Sequence, residues 1–487
     1  MPKHILLIIS DQCRADAIGA YGNPDAQTPA LDTLASESVV FDRAVTPSPV
    51  CVPARLCMLS GQYANRTGNS NNNPALMYEG EGVYSMLTQG GFDSCCIGKM
   101  HHVWDRFGSL GFDRRVTQEE LANPEDDYTQ FIANSPYRNV FDYNGQRSEM
   151  YYVPQISQLP AEVHPTQWIG DKSVEYIEAC DPARNTFLVS SFIHPHPPFC
   201  PPAPWNKLFR KDTLSAPFIP ETTQSLKPLL HTTFDSDRLG LSDLDLLRLK
   251  NFYYASLSFV DYQIGRIIAA LKDKGMYDDT LILFVSDHGE CLGDYRNMGK
   301  RTMLSSASRI PFLMKIPGVE HAHRSDPVSL VDIAPTLLSY AGIAYDRSEF
   351  DGKDILSETG DFVFSQYNCH ANGVYMCAGS EDKLVYHGKD EKYYYFDEMP
   401  ESRDLYDEKI AAGDARVLRM KALLDAYIAA DRGITPEKKK GGKKKPKNPN
   451  YFGVNRMDHV RTLEAEAARI PEGYHIDLLL EDKSDPW

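Results

Sequence analysis

The sequence predicts an α/β fold: a large, doubly wound, mostly parallel sheet with helices on both faces, plus a smaller C-terminal α+β unit with a short antiparallel sheet. Three observations carry this. Three continuous apolar runs suit strands covered on both faces. Helical patterns separate them. Each run ends in a cluster of polar residues.

The first run is His4–Ser10, followed by Asp11-Gln12. The second is Thr186–Phe192, followed by His194-Pro195-His196-Pro197-Pro198. The third is Thr280–Ser286, followed by Asp287-His288-Gly289. A helical pattern over Thr166–Ala179 leads into the second run, and a long one over Ser242–Lys274 precedes the third. Ligands of open α/β sheets bind beyond the carboxyl ends of the strands. The three polar clusters therefore belong to one crevice.

Residues 1–360 form the large unit on this reading. In 361–433, Phe362–Phe364, Gly373–Ala378, Lys383–His387 and Lys392–Phe396 read as short antiparallel strands, and Ala415–Asp431 as a helix. Residues 434–450 hold a lysine-glycine run read as a solvated flexible loop. Residues 451–487 read as a tail with a helix over Arg456–Arg469, placed to fold back onto the body or, in a homo-oligomer, onto a second subunit.

Composition narrows the function. Of 487 residues 42% are hydrophobic, enough to bury a sizeable core, which excludes a disordered chain. Gly and Pro number 32 each without a period, which excludes a collagen-like chain. The net charge is −16, and setting aside the seven lysines between Lys438 and Lys447 leaves −23. Such a body does not attract nucleic acid. No apolar run reaches the roughly 18–20 residues of a membrane helix. Ile5–Ile9 is too short for a signal-peptide core, so a cytoplasmic location is expected. The ten cysteines lack disulfide-framework spacing and read as reduced thiols.

The most informative stretch is Pro49–Gly61. Pro53 suits the first position of a helix, which puts Cys51 just before its N-terminus. Free N–H groups there favour anions and lower a thiol's pKa. Arg55, one turn on, supplies a fixed cation. Taken alone, this reads first as a buried Cys before an ordinary Pro-started helix. Gly91–His102 adds to it: a β-like segment ends in Gly98, then Lys99 offers a point charge and His101 a proton shuttle. His102 rivals His101 on spacing.

Together these blocks resemble the type I sulfatases of the alkaline phosphatase superfamily. Cys51-Val52-Pro53-Ala54-Arg55 is similar to their C-x-P-x-R signature, and Gly91 to His101 resembles their second signature. Asp11-Gln12 with Arg14 and Asp16, Pro195–Phe199, and Ser286–Glu290 with Gly299-Lys300 resemble further family blocks in the same order. The resemblance implies an alkaline phosphatase-like fold and oxidation of Cys51 to formylglycine by a formylglycine-generating enzyme. The hydrated aldehyde would attack sulfur, expel the alcohol and then release sulfate. It further implies that Arg55 and Lys99 hold the diol and the ester oxygens. His101 would take the proton during collapse, and His196 and Lys300 would serve the leaving alcohol. His194 is a weaker rival to His196.

The expected metal ligands are Asp11, Gln12, Asp287 and His288, with the residue at Cys51. Oxygen-rich sites suit hard cations, and Ca²⁺ is expected with Mn²⁺ as the alternative. Gln12 and His288 depart from the Asp-Asp and Asp-Asn pairs of many sulfatases. That departure resembles the phosphonate monoester hydrolase and phosphodiesterase branch. The expected function is sulfate ester hydrolysis; the alternative is phosphonate monoester or phosphodiester hydrolysis with the same machinery. A third reading is a metal-binding protein without catalysis, should Cys51 stay a thiol. Asn65-Arg66-Thr67 reads as a chance sequon, Asn71–Pro74 as a loop, and the aromatics of the 150–210 insertion as core.

Overall fold

The computed structural model describes residues 3–72, 78, 80–102, 106–147, 150–209, 214–231 and 234–433. The lysine-glycine run, the Arg456–Arg469 helix and part of the Asn71–Pro74 loop lie outside the described residues.

Eight strands form the large sheet, in the order Arg114–Thr117, Asp93–Gly98, Thr186–Phe192, His4–Ser10, Thr280–Val285, Phe312–Lys315, Val39–Phe41, Ala322–Arg324. The first five are mutually parallel. Phe312–Lys315 runs antiparallel to both its neighbours. The short strands Val39–Phe41, Arg114–Thr117, Phe312–Lys315 and Ala322–Arg324 were not among the expected runs. With three or four residues each, they are too short to show a period.

The central strands are apolar throughout because both faces are covered. Successive side chains of a strand point to opposite faces. Leu6 and Ile8 join one core, with Leu249, Val260 and Ile264 of the long helix. Ile5, Leu7 and Ile9 join the other, with Leu56, Met58 and Leu337. The long helix spans Asp243–Asp273, and Ser242 and Asp245 close a capping box at its start. It packs along Pro165–Ala179 and Pro29–Ser36. Its buried Asp261 accepts from the backbone N–H groups of Ala30 and Leu31 at 3.1 and 2.8 Å, which caps the Pro29–Ser36 helix.

The second sheet is an antiparallel meander of Val363–Tyr367, Val374–Ala378, Lys383–His387 and Lys392–Phe396. The helix Ala415–Ala429 covers it with Val417, Met420, Leu424 and Tyr427. All ten cysteines are free and buried. Among the described residues no helix is long and apolar enough to cross a membrane.

Candidate active site

The five parallel strands point their carboxyl ends at one rim. The residues just beyond those ends supply most of the site. Beyond His4–Ser10 come Asp11 and Gln12; beyond Asp93–Gly98 come Lys99 and His101; beyond Thr186–Phe192 comes His196; beyond Thr280–Val285 come Asp287 and His288.

Cys51 arrives from another direction. The structure corrects the expected boundary: the helix is Cys51–Ser60, so Cys51 is its first residue and Pro53 its third. Pro53 still costs no hydrogen bond, since the first N–H groups of a helix lack an intrahelical acceptor. The expected fall in thiol pKa is also corrected. Burial, and then the charge of Asp11, push Cys51 up to about 11. The helix N-terminus does not overcome a fully desolvated site beside a carboxylate.

Arg55 ties the centre together. Its Nε donates to Asp287 Oδ2 at 2.8 Å and its Nη2 to Asp11 Oδ2 at 3.2 Å. Its Nη1 donates to the Lys99 carbonyl at 2.9 Å and to Ser191 Oγ at 3.1 Å. Four of its five N–H groups are thus engaged by protein, so Arg55 clamps the carboxylates. Lys99 Nζ, fully buried, lies 2.5 Å from Asp11 Oδ2. Burial opposes ionisation of Asp11, but Lys99, His196, Arg55 and Lys300 hold its carboxyl well below the usual range.

The cation-binding geometry follows from the donors. Ligand atoms of Asp11, Cys51, Asp287 and His288 lie within 4.8 Å of one another, and all four residues are buried. His288 Nδ1 sits 3.0 Å from the Gly289 carbonyl, which assigns the proton to Nδ1 and leaves the Nε2 lone pair facing Cys51 Sγ at 3.2 Å. Lys300 Nζ lies 2.7 Å from Gln12 Oε1, 2.9 Å from Cys51 Sγ and 3.1 Å from His288 Nε2. An ammonium thus already occupies a cradle of cation-seeking atoms. Two carboxylates, an amide oxygen and an imidazole suit a divalent metal.

The turns that aim these groups are strained. Gln12 and His101 have φ of 63° and 57°, in the left-handed region. Gly98 has φ of 96°, and a Cβ there would meet the Ser191 carbonyl oxygen at 2.1 Å. Only glycine fits, and it lets the chain turn so that Lys99 N–H bonds Ser191 O at 3.0 Å.

His101 and His196 both approach Glu120 Oε1, at 3.7 and 3.8 Å. Burial pushes both imidazoles well below their ordinary pKa, so both are neutral near pH 7. His196 Nδ1 lies 2.7 Å from the Pro197 carbonyl, so its Nε2 lone pair faces the site. The rivals sit elsewhere: His194 bonds Thr166 Oγ1 at 3.0 Å, and His102 is fully buried, its pKa lowered to about 3 by burial.

Sequence reasoning missed Glu119, Glu120 and Arg147, and it gave Glu290, inside a family block, no role of its own. Glu119 Oε1 accepts from the backbone of Met100 and His101 at 3.0 and 3.1 Å and shapes their turn. Glu120 pairs with Lys99 and receives Arg147 Nη2 at 2.8 Å. Gln12 Nε2 donates to Glu290. Glu119 and Glu120 follow the Arg114–Thr117 strand as the other site residues follow theirs, but that strand is too short and polar to be read from the sequence.

Arg14, one of the family-block residues, forms a fork with Asp16 at 2.7 and 2.6 Å and reaches Asp294 at 2.8 Å. It braces the loop after His288 and does not face Cys51.

Comparison with known proteins gives these positions a context. An arylsulfatase of Clostridium perfringens is 27% identical over 83% of this chain and 90% of its own length. A multifunctional alkaline phosphatase superfamily protein of Trinickia caryophylli is 26% identical over 89% of this chain and 97% of its own. The phosphonate monoester hydrolase structure from Agrobacterium radiobacter superposes with a TM-score of 0.76 at 21% identity, covering 91% of this chain and all of that one, which establishes the shared fold. The sulfatase family model matches residues 3–343. That span includes every site residue described above, and the chain belongs to the sulfatase family of hydrolases.

Proposed function

We propose that this sulfatase hydrolyses sulfate monoesters at residue 51 in its formylglycine form, beside a divalent metal held by Asp11, Gln12, Asp287, His288 and residue 51 itself. The observation that carries the reading is the convergence of Asp11, Cys51, Asp287 and His288 within 4.8 Å, next to Lys99 and Lys300.

A bound divalent cation supplies charge neutralisation and Lewis-acid polarisation. Formylglycine supplies a hydrated aldehyde that attacks sulfur and afterwards releases sulfate. A thiol held at about 11 is a poor nucleophile near pH 7, which supports the need for the modification. Cys51 is only 1% exposed, so a formylglycine-generating enzyme must act before this segment is packed.

The chain's own groups do the rest. Arg55 fixes both carboxylates. Lys99, charged beside Asp11 and Glu120, attracts the ester's anionic oxygens. Neutral His101 is the base that accepts a proton during collapse. Lys300 donates to the leaving alcohol. His196 stabilises that alcohol once it has itself gained a proton, which its burial opposes.

Ca²⁺ is the proposed ion. His288 Nε2 and Gln12 Oε1 favour Mn²⁺ as the second choice, and with it the phosphonate monoester or phosphodiester reading. Purified protein stripped by chelation and reloaded with each ion is assayed on an aryl sulfate, an aryl phosphonate monoester and an aryl phosphodiester. The proposal expects the sulfate ester to have the highest kcat/KM, restored best by Ca²⁺. A phosphonate or diester in first place reverses the preference, and no turnover of any ester removes the activity.

A further inference from the structure

We propose that Glu120 is a specificity-determining residue that selects esters carrying one negative charge over esters carrying two. The inference rests on the ester-hydrolase reading above and deepens it.

Glu120 Oε1 sits against Lys99 Nζ and within 3.7 Å of His101 Nδ1 and 3.8 Å of His196 Nε2. Those are the groups that converge on the ester. A carboxylate oxygen placed among them lies at the edge of the volume the anion must enter. Its other oxygen is held from outside by Arg147 Nη2 at 2.8 Å, and the Arg147 guanidinium lies over the Tyr151 ring at 5.6 Å. Glu120 is therefore tethered at the rim, and an arriving ester meets a fixed negative charge there.

The consequence is electrostatic. Each further charge on the ligand adds one more repulsion with Glu120, among side chains no more than 15% exposed, where screening is weaker than in bulk water. A sulfate monoester, a phosphonate monoester and a phosphodiester each bring a single charge. A phosphate monoester brings two above its second pKa of about 6. The transferable oxygens and the leaving alcohol can be matched between these esters, so charge is the variable that Glu120 reads. Lys99 is shared between Asp11 and Glu120, which leaves it less able to offset the second charge.

The test compares kcat/KM for aryl sulfate and aryl phosphate bearing the same leaving group, at pH about 8, where the phosphate is a dianion. Glu120→Gln keeps the shape and one of the two acceptor oxygens and removes the charge. The phosphate-to-sulfate ratio is expected to rise at least about tenfold, equivalent to about 1.4 kcal/mol. Glu120→Asp keeps the charge and is expected to hold the wild-type ratio within about threefold. Arg147→Met removes the external cation and is expected to move the ratio the opposite way, against phosphate. A merely structural role would lower both esters in parallel in all three variants, and that result overturns the proposal, as does an unchanged ratio in Glu120→Gln. Wild-type protein inactive on aryl sulfate would defeat the proposed sulfate preference instead. The same three variants are then read with aryl phosphonate monoester as the singly charged partner.

Discussion

At the scale of single residues, the centre is a set of charges that are tolerable only together. Arg55 is 1% exposed and separates two buried carboxylates, Asp11 and Asp287. Removing one partner of a buried pair strands the other. Arg55→Met is expected to destabilise the metal-free protein by about 3–5 kcal/mol, read as the loss of unfolding free energy in denaturant titration. Arg55→Lys is expected to recover little of it, since a lysine cannot span four acceptors in a plane. An Arg55→Met protein as stable as wild type would show that the carboxylates do not depend on this clamp. Away from the site, burial raises Asp261 to about 7 despite its two backbone donors. The folded chain then binds a proton that the unfolded chain releases near pH 4, so this group's contribution is full at low pH and is lost as pH rises toward 7. Between those limits wild type should lose stability relative to Asp261→Asn, with a slope of up to about 1.4 kcal/mol per pH unit. Parallel pH profiles of the two proteins would contradict the assignment.

At the scale of elements, function depends on how strands end. Gly98 closes its strand in a conformation and at a contact that only glycine allows. Gly98→Ala is expected to push Lys99 and His101 out of register and to lower kcat/KM by about 100-fold or more, as misplacement of about 1 Å can. Retention of near-wild-type activity would mean that the turn is not what aims those side chains. Much of this layout was legible beforehand. Long apolar runs followed by Asp-Gln, His-Pro-His and Asp-His-Gly announce both the strand and the residue it delivers. The Arg114–Thr117 strand was not legible: four residues with two arginines carry no apolar alternation, so the two glutamates after it had no visible place. The helix start shifted for a related reason. Pro is tolerated throughout the first turn, so Pro53 alone could not say whether Cys51 precedes the helix or opens it.

At the scale of the whole molecule, the small sheet is a brace for the catalytic rim. Buried Lys383 pairs with Glu401 and donates to the Met303 carbonyl at 2.9 Å and Ser305 Oγ at 3.0 Å. Glu401 in turn receives Tyr295 OH at 2.8 Å. Tyr295 and Ser305 stand on either side of Lys300, and Tyr295, Arg296 and Arg301 all have positive φ. The strained turn that presents Lys300 is thus held from both ends by the C-terminal unit. Lys383→Met strands Glu401 and is expected to lower both the melting temperature and kcat, with KM for an aryl sulfate changed less. A variant that melts earlier but keeps full kcat would show that the two units are joined without mechanical consequence for the site.

The central proposal is that residues from four strand ends, the turn at Lys300 and one helix start act on a modified Cys51. Its most direct test is the fraction of residue 51 converted to formylglycine, about 18 Da lighter than cysteine, measured by peptide mass across preparations of graded conversion. Aryl sulfate turnover per molecule should rise in proportion to that fraction and vanish in Cys51→Ala. Turnover that is independent of conversion, or that survives in Cys51→Ala, would contradict the account.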